Sequence, residues 1–196
     1  MPTQDEGAPA AAALAVVRAF PAAGDPVPGA PQQDREPDPH QVARQIVLRQ
    51  LAMVPRSRAE LAQKLAQRDC PADVAATVLD RMTEVGLIDD EAYAQMLVRS
   101  QQAGRGLARR ALARELRKKG IEEHLAEEAL ATISDEDERD RARALVDKKL
   151  RAMHGLGIEV QTRRLAGMLA RKGYSSGVTY AVIREAIADA PEHLPD

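Results

Sequence analysis

Residues 104–121 read Gly-Arg-Gly-Leu-Ala-Arg-Arg-Ala-Leu-Ala-Arg-Glu-Leu-Arg-Lys-Lys-Gly-Ile, a pattern typical of a two-faced helix. Apolar residues recur at helical spacing and predict one stripe that packs in a core: Leu107, Ala111, Leu112 and Leu116. Gly120 follows the last turn, where a helix end favours a residue with positive φ. The other face is basic and carries one acid, Glu115. It predicts contact with a polyanion or an acidic protein surface.

This pattern occurs three times along the chain. Residues 59–79, 110–130 and 163–183 align without a gap. Two leucines, a basic residue, a turn residue and an apolar anchor coincide in each copy: Leu61, Leu112 and Leu165; Leu65, Leu116 and Leu169; Arg68, Lys119 and Lys172; Asp69, Gly120 and Gly173; Cys70, Ile121 and Tyr174. Each copy reads as helix–turn–helix. A further helical stretch precedes each one, at about 40–53, 90–102 and 137–153, so the unit has three helices.

The composition predicts an all-α fold, because Ala, Leu, Arg and Glu dominate and the chain has one Phe and no Trp. The predicted architecture is three tandem three-helix, helix-turn-helix-like repeats in an elongated array with a disordered N-terminal tail. The predicted boundaries are 1–39 for the tail, 40–88, 89–134 and 135–190 for the repeats, and 191–196 for a C-terminal tail. Residues 1–39 carry two basic and six acidic residues and most of the prolines, a composition typical of disorder.

Local signals predict where helices begin and end. Ser57 with Glu60 three residues later has the spacing of a capping box. Asp89 or Asp90 is placed to cap the helix that carries Tyr93, which we expect to anchor the core. Gly120 is expected to end the basic helix. We interpret these residues as structural.

The sequence offers no candidate for catalysis. The Gly-rich phosphate loop, the nucleophile elbow and the zinc motifs do not occur, and no histidine lies beside a Ser or Cys nucleophile. Cys70 is the one cysteine, so a cytoplasmic protein is expected. The acidic run at 135–140 lacks the ligand spacing of a calcium loop and suits a helix N-terminus instead. We therefore expect a non-enzymatic protein without metal or cofactor, and no membrane span.

Charge alternates in blocks along the folded part. Residues 104–119 carry seven basic and one acidic residue, residues 120–140 one and nine, and residues 141–172 nine and two. Such blocks indicate separate charged surfaces for nucleic acid or an acidic partner, although solvated helix faces explain them equally well. The last helix of the middle unit, in the recognition position, is acidic: Glu122, Glu123, Glu127 and Glu128. Sequence-specific base reading is therefore not expected.

Three stretches resemble the RecX family of bacterial recombination regulators: Ser57-Arg58-Ala59-Glu60-Leu61-x-x-Lys64-Leu65, Gly86-Leu87-Ile88-Asp89-Asp90-Glu91-x-Tyr93-Ala94 and Gly104-x-x-x-Ala108-Arg109-Arg110-x-Leu112-x-x-Glu115-Leu116-x-x-Lys119-Gly120-Ile121. The resemblance covers about 40–190, and the tail at 1–39 is not part of the family pattern. It implies a regulator that binds the RecA recombinase, usually as its filament on DNA. It also implies restraint of strand exchange, ATP hydrolysis and co-protease activity, and hence a role in DNA repair and the SOS response.

The basic faces are the predicted partner- or DNA-binding residues: Arg105, Arg109, Arg110, Arg114, Arg117, Lys118 and Lys119 in the second unit, Arg163, Arg164, Arg171 and Lys172 in the third, and a weaker set, Arg56, Arg58, Lys64 and Arg68, in the first. A row of such faces would suit a repeating partner through multivalency. The predicted partner is the RecA filament, bound by a monomer. The alternative is a non-sequence-specific protein that competes for single- or double-stranded DNA; an enzyme with an unrecognised site is the third hypothesis.

Overall fold

The computed structural model describes residues 38–189, and this part of the chain is built from nine α-helices without a strand. The helices are α1 (Pro39–Met53), α2 (Arg58–Ala66), α3 (Ala72–Glu84), α4 (Asp90–Arg105), α5 (Arg109–Lys118), α6 (Glu123–Ala131), α7 (Asp135–Leu150), α8 (Ile158–Lys172) and α9 (Ser176–Ala188). A short 3₁₀ turn, Arg151–Met153, extends α7. The predicted all-α class is confirmed. Most of the predicted N-terminal tail and all of the predicted C-terminal tail lie outside the described residues.

Each group of three helices has its own hydrophobic core, so the predicted three-fold repeat is confirmed. Repeat one comprises α1–α3, repeat two α4–α6 and repeat three α7–α9. The first and third helices of each repeat pack together, and the second closes the core; every helix pair with substantial packing lies inside one repeat. The six aligned leucines are fully buried: Leu61, Leu65, Leu112, Leu116, Leu165 and Leu169. Burial of one such side chain stabilises a fold by about 1.5–3 kcal/mol.

The stretch 104–121 is not one helix. Helix α4 continues through Arg105 and ends at Gly106, which has a left-handed φ of 60°. Helix α5 begins at Arg109, after an extended Ala108. The chain turns here because Leu107 and Ala108 are buried, and the Ala108 N–H donates to the Lys172 carbonyl of repeat three. The prediction of a single helix is therefore wrong at its amino end.

Helix ends follow the local signals. The capping box predicted for α2 is confirmed: the Ser57 hydroxyl accepts from the Glu60 N–H at 3.2 Å, and the Glu60 carboxylate accepts from the Ser57 N–H. The Asp89 carboxylate accepts from the Ala92 N–H at 2.8 Å and caps α4. Gly120 has a φ of 70° and lies just after α5.

Gly120 also approaches another repeat closely. A Cβ built at this position would lie 2.3 Å from the Ala59 Cβ of repeat one, well inside contact distance. We expect Gly120→Ala to lower the free energy of unfolding by about 3 kcal/mol or more, from left-handed strain and overlap together. Urea unfolding of the purified protein measures this loss.

Substitutions at two other glycines distinguish the effect of left-handed strain from the effect of overlap with Ala59. Gly86 has a φ of 71° with no neighbouring atom within 4 Å, so Gly86→Ala should cost only the strain, about 1–2 kcal/mol. Gly104 lies inside α4 in open space, where Gly104→Ala should stabilise by about 0.5 kcal/mol. Equal losses for Gly120→Ala and Gly86→Ala would show that the contact with Ala59 is unimportant.

Candidate binding surfaces and the joints between repeats

Repeat two meets repeat one at the amino end of α2, in what we call the first joint. The Arg58 N–H donates to the Asp90 carboxylate at 2.8 Å, so the first residue of α4 caps a helix of the preceding repeat. The Ser57 hydroxyl donates to the Lys119 carbonyl at the end of α5, at 2.6 Å. Ser57 is fully buried there. The joint thus satisfies an N–H group of one helix start and a C=O group of one helix end.

Glu60 lies at the centre of the first joint. Its carboxylate forms an ion pair with the Lys119 ammonium at 2.6 Å and accepts from the Tyr93 hydroxyl at 3.1 Å. Burial alone would raise the pKa of Glu60. The hydrogen bonds from Lys119, Tyr93 and Ser57, with the Lys119 charge, outweigh burial and hold this pKa below its ordinary value. Glu60 is therefore ionised and bonded to both neighbouring elements of repeat two.

Two further groups of the joint, Asp90 and Tyr93, have pKa values that are raised instead. Burial raises the pKa of Asp90, and the hydrogen bond from the Arg58 N–H offsets this only in part. Burial, followed by the charge of Glu60, raises the pKa of Tyr93 to about 12. The Tyr93 hydroxyl is consequently a stable proton donor at neutral pH.

The second joint repeats this arrangement between repeats two and three. The Ala108 N–H donates to the Lys172 carbonyl at 2.9 Å, and the Arg109 N–H donates to the Glu138 carboxylate at 3.0 Å. Ala108 has no side-chain cap to offer, so the following repeat supplies the partners for the start of α5. The Tyr174 hydroxyl donates to the Gly106 carbonyl at 3.2 Å, and the Lys172 ammonium donates to the Arg105 carbonyl.

Three of the cations predicted to bind a partner are bonded within these joints. The Arg109 guanidinium donates to the Ile133 carbonyl at 2.7 Å and pairs with Asp135 at 2.9 Å. Lys119 pairs with Glu60, and Lys172 bonds across the second joint. All three are half-buried. Their charges hold the repeats together and are only partly available to a partner.

The other predicted cations of α5 and α8 are exposed: Arg110, Arg114, Arg117 and Lys118 on α5, and Arg163, Arg164 and Arg171 on α8. Within residues 38–189, none of these seven side chains forms an ion pair. The α5 set recurs at spacings of four, three and one residues, which places it on one side of the helix. We call these seven residues the exposed basic faces.

In repeat one the predicted set divides. Arg58 pairs with Asp80 at 2.7 Å. Arg56, Lys64 and Arg68 instead line a small pocket of about 260 Å³ together with Ile46, Gln50 and Gln67. The weaker basic face predicted in repeat one is thus a three-cation pocket.

A further basic surface was missed from the sequence. Arg141, Lys148 and Lys149 of α7 line a cleft of about 790 Å³, and Arg105 and Lys172 line it from the ends of α4 and α8. The alignment of repeats directed attention to the second helix of each repeat and away from α7. Spacings of seven and eight residues on α7 were the available signal, because they place these cations on one side of a helix.

These features define a class of protein: a tandem helical-repeat protein with basic surfaces. Comparison with known proteins then gives the family. The models of the first, second and third RecX three-helix domains match residues 43–82, 89–130 and 135–183. "Regulatory protein RecX" of Streptomyces coelicolor is 51% identical over 162 residues, covering 81% of this chain and 86% of that protein. The chain belongs to the RecX family.

Other relatives agree. Proteins of the same name from Thermobifida fusca and Mycolicibacterium smegmatis are 49% and 44% identical, covering 73% and 83% of this chain and 77% and 90% of their own. The crystal structure of RecX from Lactobacillus salivarius shares the fold, with a TM-score of 0.69 and 23% identity over 76% of this chain and 96% of that chain. Among residues 38–189, no helix has both the length and the apolar character needed to cross a membrane.

The first joint should depend on pH through Glu60. Because its pKa is lower in the folded state than in the unfolded state, the ionised form stabilises the fold above the unfolded pKa. This contribution is lost as the pH falls through the folded-state pKa. We expect Glu60→Gln to lower the free energy of unfolding by about 1–2 kcal/mol at pH 7, and by much less at pH 3. Urea unfolding at both pH values measures the difference.

Glu84→Gln is the matched control for this prediction. Glu84 pairs with Arg81 on the surface of α3, where the pair is 63–74% exposed and should contribute less than about 0.5 kcal/mol. The prediction fails if Glu60→Gln destabilises equally at pH 7 and pH 3, since the loss would then come from shape and not from charge.

Proposed function

We propose that this protein is a non-enzymatic regulator that binds the RecA recombinase on its DNA filament. It inhibits the recombinase, ATPase and co-protease activities of the filament, and so contributes to control of DNA repair and the SOS response. It acts in the cytoplasm as a monomer. Membership of a family whose curated members carry the name "Regulatory protein RecX" supports this proposal.

The observation that carries the proposal is the recurrence, on the second helix of successive repeats, of exposed cations that form no ion pair within the described part of the chain, 38–189. Helices α5 and α8 are each the second helix of their repeat. Similar joints, with a carboxylate of one repeat bonded to a helix start of the repeat before it, connect repeats one and two and repeats two and three. A filament presents identical subunits at a fixed interval. Once one repeat is bound, the contacts of the next repeat form within the same complex, at a high effective concentration. Several weak contacts then give a high overall affinity without a single strong site.

The competing candidate is a protein that inhibits recombination by covering DNA. The two are distinguished by titrating the protein into RecA-filament ATPase assays and, in parallel, into binding assays with bare single-stranded and duplex DNA across a range of salt concentrations. Filament binding predicts that ATP hydrolysis falls at protein concentrations too low to coat bare DNA. Inhibition that only follows DNA coverage would replace the proposal with competition.

Neutralising the α5 face tests the site. We expect the triple variant Arg110→Gln, Arg114→Gln and Arg117→Gln to require about tenfold more protein for half-maximal inhibition of the ATPase, because three exposed charge contacts of about 0.5 kcal/mol each are removed. Gln keeps the helix propensity of Arg. Arg109 is left intact, because its guanidinium holds the second joint.

The matched control removes the same charge elsewhere, through Arg49→Gln, Arg99→Gln and Arg184→Gln. These arginines are exposed on α1, α4 and α9. If both triple variants lose inhibition equally, net charge and not the α5 face is responsible. Full inhibition by the α5 variant would remove this face from the proposed surface.

A further inference from the structure

The three-cation pocket is formed within repeat one, by three neighbouring segments of the chain. The loop between α1 and α2 contributes Arg56. Helix α1 contributes Ile46 and Gln50, which are four residues apart and so lie on one face of the helix. The end of α2 and the turn after it contribute Lys64, Gln67 and Arg68. The pocket therefore depends on the packing of a single repeat and includes none of the exposed basic faces.

The pocket carries positive charge that no carboxylate offsets. Within residues 38–189, neither an aspartate nor a glutamate lines it, and its three cations form no ion pair. Glu60 lies on α2 one turn before Lys64, but its carboxylate is bonded to Lys119 and Tyr93 across the first joint. Like charges held together in this way repel one another, and a bound anion would remove that repulsion.

The neutral polar side chains of the pocket can also donate hydrogen bonds. The Lys64 ammonium donates to the amide oxygen of Gln67 at 3.0 Å. This bond engages the acceptor of that amide and leaves its NH₂ group to donate. Gln50 offers a second amide. Water filling the pocket would leave the three charges uncompensated, whereas an oxyanion satisfies the donors and the charge together.

Arg56 is the cation that ordinary helix electrostatics does not explain. Lys64 and Arg68 lie at the carboxyl end of α2, where the helix dipole favours cations. Arg56 instead precedes Ser57, the N-cap of α2, where the same dipole disfavours a positive charge. Its Nε atom is buried and, among residues 38–189, has no hydrogen-bond acceptor. A buried donor without an acceptor is costly, and its position at a basic pocket points to an acceptor from outside the chain.

Size and lining indicate which anion fits. The pocket volume is about 260 Å³, below the range of about 300–1,000 Å³ that is usual for pockets holding drug-sized ligands. No aromatic side chain lines it within the described range 38–189, so a ring gains no stacking there. A guanidinium group matches the oxygens of a phosphate with two parallel N–H bonds, and an ammonium adds a point charge. A small molecule recognised by its phosphate groups fits this set of donors.

We propose that the three-cation pocket binds the adjacent phosphate groups of a small free molecule, either inorganic pyrophosphate or the polyphosphate of a nucleoside triphosphate. Arg56 binds these groups from the loop, and Lys64 and Arg68 bind them from the end of α2. The ligand thus links the loop to the helix that follows it and stabilises repeat one, because it binds only the folded chain. The proposal does not rest on the proposed function, whose surfaces lie on α5 and α8.

Isothermal titration calorimetry of the full chain tests the binding. The ligands are pyrophosphate, ATP and adenosine, at matched ionic strength and without Mg²⁺, which would compete for the phosphate oxygens. Pyrophosphate and ATP should each bind one saturable site, and adenosine should not bind. Arg56→Gln should weaken both affinities by about tenfold or more, because charge-assisted hydrogen bonds are lost. Arg68→Gln, at an exposed side chain, should weaken them by about threefold.

The matched control is Arg49→Gln, which removes one charge from an exposed position on α1 of the same repeat and should bind like the parent. Thermal unfolding checks that each variant folds. If Arg56→Gln does not fold, Arg68→Gln still decides the result, because its side chain is exposed. Equal losses of affinity in the Arg49→Gln variant and the pocket variants would make net charge responsible and overturn the proposal.

Nuclear magnetic resonance locates the ligand. The Arg56 Nε–H signal is assigned by its disappearance in Arg56→Gln. It should shift as pyrophosphate is added, with the half-saturation concentration found by calorimetry, because a phosphate oxygen accepts from this guanidinium. An unmoved signal in a saturated complex would place the ligand elsewhere and overturn the proposal.

Competition separates the sources of phosphate. Tighter binding of pyrophosphate than of ATP would identify the inorganic ligand, and the reverse would identify the nucleotide; either result supports a phosphate pocket. Adenosine binding as tightly as ATP would overturn it. Displacement of pyrophosphate by a 20-base-pair duplex at equal phosphate concentration would also overturn it, since the pocket would then belong to a polymer. None of these measurements uses the filament, so their failure leaves the proposed function untouched.

Discussion

A helix leaves the first N–H groups of its amino end without partners inside the helix, and in this protein the next repeat provides one. Asp90 accepts from the Arg58 N–H at the start of α2, and Glu138 accepts from the Arg109 N–H at the start of α5. Because substantial helix packing is confined to each repeat, such contacts set how one repeat attaches to the next. The carboxylate comes from the first position of α4 in one joint and from the fourth position of α7 in the other. The two joints therefore use the same kind of hydrogen bond from different positions in the repeat.

The joints also divide the basic residues into two populations. Arg109, Lys119 and Lys172 are half-buried and bonded to carboxylates or carbonyls. Their contribution is geometric: each fixes the end of one helix against the next repeat. Among residues 38–189, the exposed cations of α5 and α8 find no such bonds, so their charge is open to solvent. A basic amphipathic helix in a repeat protein can thus use one part of its charge to join repeats and leave the rest exposed.

Features that depend on neighbours in sequence could be predicted, and features that depend on distant residues could not. The buried leucine pairs, the Ser57 capping box and the left-handed turn at Gly120 follow from spacings of three or four residues. Two glycines spaced as Gly104-x-Gly106 indicated a hinge between helices, but not which of them ends α4, since both are good helix ends and the decisive contact comes from Lys172. The Glu60–Lys119 pair joins residues 59 positions apart. The cleft could not be predicted for the same reason, because Arg105 and Lys149 are far apart in sequence and line one cleft only in the folded chain.

The turn after the second helix differs between the first repeat and the two later repeats. Gly120 and Gly173 adopt positive φ with their Cα atoms pressed against Ala59 and Ala111 of the preceding repeat, where no side chain fits. The equivalent turn in repeat one has the same left-handed backbone but holds Asp69, whose side chain is exposed. In repeat three, α8 follows Gly157 and begins without a side-chain cap. The turn of repeat one therefore leaves room for a side chain, whereas the equivalent turns of repeats two and three do not. Glycine therefore occupies this turn where a preceding repeat presses against it, and the first repeat, whose Asp69 side chain is exposed, carries a larger residue there.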